Sequence, residues 1–496
     1  MALLKCTISR GLLHTFNGRH LFSTVIERRG EFAELTEGDL RHFRGIVGDR
    51  CVKTEEIDEY NTDFMRWYKG RSQCVLLPQS VQQVSAVLKH CFNRRLAVVP
   101  QAGNTGLVGG SVPVHDEIVL STKKIANTFS VDPNSGVLDC DAGFVLEDAN
   151  ARLSSHGFMV PIDLGAKGSC LIGGITATNA GGIRLIRYGS MHSHVLGMEV
   201  VIPDKDGTVL KLGSNLLKDN TDLHLHKIFV GSEGQLGVIT RVQMQTVPKP
   251  ISVQSAFLGV TSFDKCLAIL RSAKHLLNEI LSSFEFIDRE TMQMVQQNVG
   301  LNGPLPSNSA YPFNLLIETS GTDSEHDLAK MDRFLDRCIG DALAADGVLA
   351  KNMSEAQHMW KIRENCSLGL RQDGYVFKHD ISLPLEHFYK LTEQIRERLR
   401  ETNVRRICTF GHLGDGNAHL NVTMPTFEED IYQSLYPFIY ETVASIGGSI
   451  SAEHGIGLLK REYHHKLIDQ KRRMFSSGIK RLFDPRLILS PYKMID

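Results

Sequence analysis

Two histidines, His412 and His419, are the first candidates for chemistry because their seven-residue spacing translates into geometry. On a straight helix they would stand about 11 Å apart, too far to share one ion through bonds of about 2 Å. On a straight strand they would point to opposite faces. The intervening Gly-Asp-Gly-Asn at 414–417 instead favours a tight turn that brings the two rings together.

Glu453 and His454 add a carboxylate and an imidazole, at a place where the pattern predicts a strand that turns into a helix. Two imidazoles and one carboxylate form a facial metal site with positions left open for a substrate. Isolated histidines are more often structural, so spacing alone leaves a structural role open.

The strand that follows His419 is predicted to be polar on one side. His419, Asn421 and Thr423 alternate with Leu420 and Val422, which places the polar side chains on one face.

Cationic residues in two further segments suit a carboxylate ligand. Arg363 and Ser367 are four apart and are predicted to share a helix face, while Lys378 alternates with Asp380 and Ser382 along a strand. Surface charges are the alternative reading of each cation.

The strongest candidate for phosphate binding is PQAGNTGLVGGS, residues 100–111. Its glycines permit positive φ, so backbone N–H groups can converge on an anion, and its Asn, Thr and Ser side chains can add hydrogen bonds. The spacing fits neither the Rossmann nor the P-loop motif. Residues 173–182 and 229–240 are also rich in small residues, and three such clusters predict a long cofactor lying across several loops.

Taken together, these segments resemble flavoproteins of the vanillyl-alcohol-oxidase type. The resemblance rests on PQAGNTGLVGGS, DLGAKGSCLIGG, TATNAGG, RYGS and FVGSEGQLGVIT, and it continues in GHLGDGNAHLNV and SAEHGIG. It implies an α+β fold with a two-part FAD-binding domain, a ferredoxin-like substrate (cap) domain and a helical C-terminal segment. It also implies FAD as the cofactor, bound by Gly103, Asn104, Thr105, Gly106, Gly109, Gly110, Ser111, Ala166, Gly168, Ser169, Gly173, Thr176, Asn179 and Ile239.

For the histidine cluster, the resemblance implies a divalent metal ion. The implied ligands are His412, His419 and Glu453, and zinc is favoured over manganese, cobalt or iron. His454 becomes the best candidate for general base, because a neutral imidazole can accept a hydroxyl proton near neutral pH. In the alternative reading His454 only orients Glu453. The implied substrate-binding residues are Arg363, Ser367, Lys378 and Asn421.

The narrower resemblance is to members of this family that oxidise D-2-hydroxyglutarate to 2-oxoglutarate, with hydride transfer to flavin N5 and electron-transfer flavoprotein as acceptor. A homodimer is compatible with it. Oxidation of D-lactate is the nearest alternative, although two cationic anchors favour a substrate with two carboxylates. A non-redox flavoprotein of the alkylglycerone-phosphate-synthase type and an inactive FAD-binding protein are alternatives of other classes.

Five residues depart from the family pattern. Ala102 stands where glycine is usual, Ile175 where Asn is common, Asp222 with Leu223 where Gly-Tyr is usual, and Ser490 where Asn is usual. A reduced affinity for FAD is the expected consequence.

The predicted elements after Pro248 follow the order β-α-β-β-α-β of a ferredoxin-like layer. They are a strand at 253–260, a helix with Leu267, Leu270, Leu277 and Leu281 on one face, strands at 284–287 and 313–318, a helix at 328–339 and a strand at 347–350. Further helices are predicted at 354–373, 385–402 and 456–484.

The chain is predicted to divide near Pro248. Residues 27–248 form the FAD-binding domain, 249–425 the substrate-binding cap domain with part of the metal site, and 426–496 a C-terminal segment that completes the active site. Residues 1–26 contain basic but no acidic residues, as is typical of a mitochondrial transit peptide, and therefore predict a matrix protein.

Composition excludes several classes of protein. A net charge of −1 over 496 residues argues against a nucleic-acid binder. No stretch approaches the roughly 18 to 20 apolar residues of a spanning helix. The ten cysteines are never two to four residues apart, which excludes zinc ribbons and thioredoxin-type pairs.

Overall fold

The computed structural model describes residues 26–306 and 311–495 as a mixed α and β protein. The predicted transit peptide, residues 1–26, lies outside the described residues except for its last position. Within the described ranges, no helix combines the length and the apolar character that a membrane crossing requires.

Between residues 26 and 248, the described chain contains eight α-helices, most of them short, and eleven strands. The helices are α1 Glu37–Val47, α2 Asp58–Asn61, α3 Val81–Arg94, α4 Leu146–Ser154, α5 Ile172–Ala177, α6 Leu185–Tyr188, α7 Met191–His194 and α8 His226–Phe229. The strands are β1 Val52–Lys53, β2 Val75–Leu76, β3 Val98–Gln101, β4 Ile118–Ser121, β5 Phe129–Val131, β6 Val137–Asp141, β7 Phe158–Met159, β8 Val195–Val201, β9 Val209–Gly213, β10 Val238–Gln245 and β11 Val247–Pro248.

These strands form two main sheets. The first has the order β1-β2-β4-β3, with β2, β4 and β3 parallel, and the second is antiparallel with the order β5-β6-β10-β8-β9. The end of the chain returns to this half, because Leu489 forms a parallel bridge with Val98 beside β3. The C-terminal residues therefore pack with residues 27–248, which are called the flavin half below because the sequence predicts that they bind FAD.

The second half is built on one seven-stranded sheet. Its strands are β12 Ser252–Val260, β13 Leu281–Asp288, β14 Phe313–Gly321, β15 Asp346–Leu349, β16 Tyr375–Ser382, β17 Arg406–His412 and β18 Asn417–Met424. Its helices are α9 Phe263–Leu276, α10 Arg289–Met294, α11 Ser324–Gly340, α12 Met353–Glu364, α13 Cys366–Leu370 and α14 Lys390–Arg398, and the chain ends with α15 Glu429–Ser445, α16 Arg461–Leu467 and α17 Gln470–Phe483.

The strand order β15-β12-β14-β13-β17-β18-β16 confirms the predicted β-α-β-β-α-β layer and extends it. Strands β12 to β15 with α9 and α11 form the layer, and β13 continues into the hairpin of β17 and β18. The sheet thereby joins the ferredoxin-like layer to the segment that carries the histidines.

The two faces of this sheet have different chemistry. One face is apolar and packs against helices, with Phe284, Phe286, Phe377, Leu420 and Val422 in a single buried cluster. The strand registers place a set of polar and charged residues together on the opposite face: Glu285, Lys378, Asp380, His412, His419 and Asn421.

Two predictions about helices were wrong in detail, and one helix was missed. Helix α9 ends at Leu276, so Leu277 caps it and Leu281 begins β13, because the chain turns where Ile280 N–H donates to Leu277 O. The predicted helix at 354–373 is divided at Asn365 into α12 and α13. Helix α15 was missed because Pro437 lies inside it, although Ile431, Leu435, Ile439 and Val443 have helical spacing and are buried.

Candidate active site

The hairpin of β17 and β18 brings His412 and His419 together as the turn motif predicted. Phe410 pairs with His419 and His412 with Asn417, so both imidazoles lie on the same sheet face, with ring centroids 5.3 Å apart. The hairpin needs glycine at 411, where φ is +152° and a Cβ would lie 2.2 Å from the carbonyl oxygen of Asn417.

Glu453 lies at the centre of three imidazoles. Its Oε1 is 3.9 Å from Nε2 of His412, 3.8 Å from Nε2 of His419 and 3.5 Å from Nε2 of His454. In a tetrahedral site with bonds of about 2.1 Å, ligand atoms are separated by about 3.4 Å. These donor types suit a divalent ion, and the three distances from Glu453 are close to this ligand spacing.

One group of possible ligand atoms includes Asp380, which the sequence did not assign to the cluster, and does not include the predicted ligand His412. One atom each from Asp380, His419, Glu453 and His454 lies within 4.8 Å of all the others. His454 approaches Glu453 at least as closely as His412 and His419 do, so a nitrogen ligand is a further role open to it.

Carboxylates orient the three rings from behind. Glu285 Oε1 is 2.7 Å from His412 Nδ1, while the two carboxylate oxygens of Asp380 are 3.9 Å from His419 Nδ1 and 3.5 Å from His454 Nδ1. A carboxylate on Nδ1 leaves Nε2 free to face a metal ion, as is usual for metal-binding histidines. Glu285, hydrogen-bonded to His412, and Asp380, within ion-pair distance of His419 and His454, are therefore candidate positioning residues that the sequence did not identify.

Burial and neighbouring charges shift the pKa values of the residues in this cluster. Burial alone would lower the pKa of His412, but the adjacent Glu285 and Glu453 raise that pKa to about 10. Burial lowers the pKa of His419 to about 3. Burial would raise the pKa of Glu453, yet its contacts with His412 and His454 hold this pKa well below its usual range. Glu453 is therefore held as an anion.

The segment that carries Glu453 and His454 is a loop, so the predicted strand-to-helix transition was wrong. The next helix begins at Arg461, and Asp380 Oδ2 accepts the backbone N–H groups of Glu453, at 3.2 Å, and His454, at 2.9 Å. Lys460 Nζ, 3.4 Å from the same oxygen, balances its charge. Backbone amides bound to a carboxylate fix this loop in place of a regular element.

Three of the four predicted substrate-binding residues lie around the cluster. Arg363 is 8% exposed, and its Nε donates to Glu285 Oε2 at 2.7 Å. Lys378 and Asn421 face each other across β16 and β18. Ser367 is exposed on α13, so the division at Asn365 separates it from the helix of Arg363. The shared helix face predicted for Arg363 and Ser367 was therefore wrong.

The predicted FAD-binding segments meet at Gly103. A Cβ on Gly103 would lie 2.3 Å from the carbonyl oxygen of Ser169, so only glycine allows residues 100–111 and the loop at 166–170 to approach this closely. A Cβ on Gly106, by contrast, would meet nothing within 4 Å among the described residues. The two loops therefore form a tight glycine-dependent junction, here called the cradle, of the kind that can bind a pyrophosphate through backbone N–H groups.

Several polar side chains in these segments brace the protein. Asn104 Nδ2 donates to the carbonyl oxygens of Glu59 and Thr62, and its Oδ1 accepts from Ser111 Oγ at 2.7 Å. Thr176 Oγ1 donates to Ile172 O, and the side chain of Asn179 accepts from the backbone of His192. These side chains are therefore already bonded to the protein itself.

Two buried polar atoms beside the cradle also point to a ligand. Within the described ranges, Ser490 Oγ and Gln235 Oε1 are buried and have no hydrogen-bond partner. Gln235 Nε2 donates to Ser490 O, so the two orphaned atoms belong to one small cluster. A bound cofactor would satisfy such groups.

The departures from the family pattern are accommodated. The methyl group of Ala102 fits because residue 174 is glycine, where a Cβ would lie 2.7 Å from it. Ile175 is buried in the core of the flavin half, and Leu223 lies exposed in a surface loop. The cradle keeps its shape despite these substitutions.

Family models and sequence relatives identify the family to which this chain belongs. Family models match the chain as an FAD binding domain over residues 72–213 and as the C-terminal domain of FAD linked oxidases over residues 249–494. The probable mitochondrial D-2-hydroxyglutarate dehydrogenase of Oryza sativa subsp. indica is 44% identical over 95% of this chain and 84% of its own length. The mitochondrial D-2-hydroxyglutarate dehydrogenase of Bos taurus is 44% identical over 94% of this chain and 85% of its own length.

The fold also matches a solved flavoprotein structure. The crystal structure of p-cresol methylhydroxylase with substrate bound has a TM-score of 0.73 at 16% identity and covers 93% of this chain and 98% of that chain.

The chain therefore belongs to the family of FAD-linked oxidases, and it has the fold of vanillyl-alcohol-oxidase-type flavoproteins. It is an FAD-dependent oxidoreductase. The predicted fold class, the FAD cofactor and the mitochondrial location are confirmed.

Proposed function

We propose that this protein oxidises D-2-hydroxyglutarate to 2-oxoglutarate with FAD and a divalent metal ion. The observation that carries the proposal is the polar face of the seven-stranded sheet, where His412, His419 and Glu453 lie beside Arg363 and Lys378. A nitrogen-rich donor set next to cationic anchors suits chelation of a 2-hydroxycarboxylate. The proposed zinc ion fits this donor set, as do manganese, cobalt and iron.

The chemistry divides between bound groups and the residues of the chain. FAD, when bound, supplies a two-electron acceptor at N5, and a divalent ion, when bound, supplies positive charge next to the developing alkoxide. His454 accepts the hydroxyl proton while the C2–H bond breaks with its electron pair and the C=O bond forms. Asp380, on the Nδ1 side of His454, stabilises the protonated ring.

The remaining residues orient the substrate. Lys378 and Asn421 contact one carboxylate, and Arg363 contacts the other. In this arrangement C2 faces the flavin, and most of the rate comes from orientation and charge stabilisation.

The proposal extends to the setting of the reaction. The protein works in the mitochondrial matrix and passes electrons from reduced flavin to electron-transfer flavoprotein. Residues 27–248 bind FAD, residues 249–425 bind substrate, and residues 426–496 complete the active site in a monomer or homodimer. Support comes from the resemblance of the whole chain to relatives named for this substrate.

A D-lactate dehydrogenase is the second candidate, and one contact favours it. The charge of Arg363 is already paired with Glu285, which leaves less positive charge for the second carboxylate of a dicarboxylic acid. A non-redox or inactive flavoprotein is less well supported, because it has no need for three imidazoles around one carboxylate.

The experiment that separates these candidates is anaerobic mixing of the FAD-containing, metal-replete protein with single substrates. We expect D-2-hydroxyglutarate to bleach the flavin absorbance much faster than L-2-hydroxyglutarate or D-lactate. Faster bleaching by D-lactate would favour the second candidate. Absence of bleaching by all three 2-hydroxy acids would reject both.

A further inference from the structure

Glu233 connects the flavin half of the molecule to the loop that carries Glu453 and His454. This loop, residues 453–457, is called the Glu453 loop below. Glu233 lies in the segment FVGSEGQLGVIT, and its carboxylate accepts the backbone N–H groups of Ile456, at 2.8 Å through Oε1, and Gly457, at 2.9 Å through Oε2. The two contacts form one bidentate grip on consecutive amides.

The Glu453 loop is thus held by two carboxylates from opposite halves of the protein. Asp380, on β16 of the seven-stranded sheet, accepts the N–H groups of Glu453 and His454. Glu233 accepts the next pair after Gly455. Four of the five amides in the loop therefore bind a side-chain carboxylate rather than helix or sheet partners.

The backbone of the loop is shaped to fit Glu233. Gly455 has φ of +83°, and a Cβ there would lie 2.7 Å from Glu233 Oε1. Gly457 has φ of +49°, and a Cβ there would lie 2.4 Å from the carbonyl oxygen of Val108. The glycines on either side of Ile456 allow its amide and that of Gly457 to reach one carboxylate.

The same loop rests on the predicted pyrophosphate cradle. Val108 O accepts the N–H groups of Leu458, at 2.8 Å, and Leu459, at 3.2 Å. Two residues further along, Gly110 O accepts from the buried Lys493 Nζ. The segment predicted to surround the phosphates is therefore in direct contact with the segment that follows the Glu453 loop.

The backbone at Glu233 is itself constrained. Its φ is +52°, a value that non-glycine residues seldom adopt, and its N–H donates to Ala177 O at 2.8 Å, next to the predicted FAD-binding residue Thr176. Unusual backbone geometry of this kind is retained where surrounding contacts determine it.

We infer that Glu233 is a positioning residue that sets the place of Glu453 and His454 relative to the flavin cradle. The inference rests on the proposed function, in which Glu453 is a metal ligand and His454 the base. Asp380 fixes one end of the loop to the metal cluster, and Glu233 fixes the other end to the flavin half. Without Glu233, the loop stays hydrogen-bonded to Asp380 but is no longer held in position relative to the flavin half.

The test uses the full-length holoenzyme and compares E233A and E233Q with E117Q. Glu117 is the matched control, because its carboxylate also accepts two consecutive backbone N–H groups, from Val114 and His115, but holds a different segment. E233A removes both acceptors of the grip. E233Q keeps one acceptor and turns an NH₂ group toward the other amide.

The first readout is hydrogen exchange of residues 453–459 by mass spectrometry. We expect exchange at least about ten times faster in E233A, an intermediate rate in E233Q and the wild-type rate in E117Q. The second readout is titration of the holoenzyme with Mn²⁺ or Zn²⁺. Affinity is expected to fall about tenfold or more in both Glu233 variants, with FAD content unchanged.

Wild-type exchange in the Glu453 loop of E233A, or metal affinity equal to that of E117Q, would overturn the inference. Should E233A not fold, E233Q decides by the same criteria. Failure of the proposed function is recognised separately, by wild-type protein that binds no metal ion or whose flavin is not bleached by D-2-hydroxyglutarate, and hydrogen exchange would still decide the role of Glu233.

Discussion

The flavin cradle and the histidine cluster are built on opposite principles. In the cradle, missing side chains matter: a Cβ on Gly103 would collide with Ser169 O, and the polar side chains of Asn104 and Ser111 are used to brace the loop. In the cluster, side chains form the site. Glu285 and Asp380 lie on the Nδ1 side of the imidazoles, whose Nε2 atoms face Glu453. A backbone site is therefore specified locally, whereas a side-chain site depends on partners from distant strands.

The largest expected effect tests the histidine cluster. Replacing His454 by Gln should slow anaerobic flavin reduction about 10²- to 10⁴-fold, because the proton acceptor is removed while the ring volume is roughly kept. Stopped-flow absorbance gives the rate, and metal analysis with the flavin spectrum checks that both groups are retained. Loss of the metal ion in this variant would instead support the role of His454 as a ligand or as the residue that orients Glu453.

The next effect concerns the carboxylates behind the rings. Asp380→Asn should lower metal affinity and turnover about 10- to 100-fold while leaving FAD content unchanged, because it weakens the orientation of two imidazoles and of the Glu453 loop. Asp373→Asn is the matched control, since Asp373 is equally buried but pairs with Arg405 and Arg406. Equal losses in the two variants would mean that Asp380 serves general stability alone.

A pair of glycine variants tests the cradle. Gly103→Ala should lower the free energy of unfolding by about 1 to 3 kcal/mol, because its methyl group overlaps Ser169 O. Gly106→Ala should leave stability nearly unchanged, because its methyl group meets no protein atom within 4 Å among the described residues, but should weaken FAD binding if this backbone faces the pyrophosphate as the sequence predicts. Urea unfolding and fluorescence titration with FAD measure the two effects. Equal FAD affinity in Gly106→Ala and wild type would move the pyrophosphate away from this position.

The smallest effect is a dependence of substrate affinity on pH. Burial, with a contribution from the nearby Arg371, lowers the pKa of Lys378 to about 8. Lys378 therefore loses its charge as pH rises through this value, and KM for D-2-hydroxyglutarate should rise roughly eightfold between about pH 7.5 and 9. Lys378→Arg should abolish the rise. Parallel KM profiles for the two proteins would remove Lys378 from the substrate site.

Sequence reasoning succeeded where the signal is local. The glycines of residues 100–111 and the Gly-Asp-Gly-Asn turn after His412 predict the local backbone conformation from a few neighbouring residues. Glu285 is the one charged residue in the apolar strand predicted at 284–287. Nothing in the sequence indicates that it contacts His412, 127 residues away. Likewise, Glu233 belongs to a recognisable glycine-rich segment, whereas its contact with Ile456 and Gly457 requires the folded chain.

The most direct test of the whole account is single-turnover flavin reduction by D-2-hydroxyglutarate in metal-stripped and metal-restored holoenzyme. We expect that removal of the metal ion lowers the rate of flavin reduction at least about 100-fold without release of FAD, and that added Zn²⁺ or Mn²⁺ restores this rate. Reduction at the same rate in the stripped protein would contradict the claim that the histidine cluster and the flavin cradle act together on one substrate.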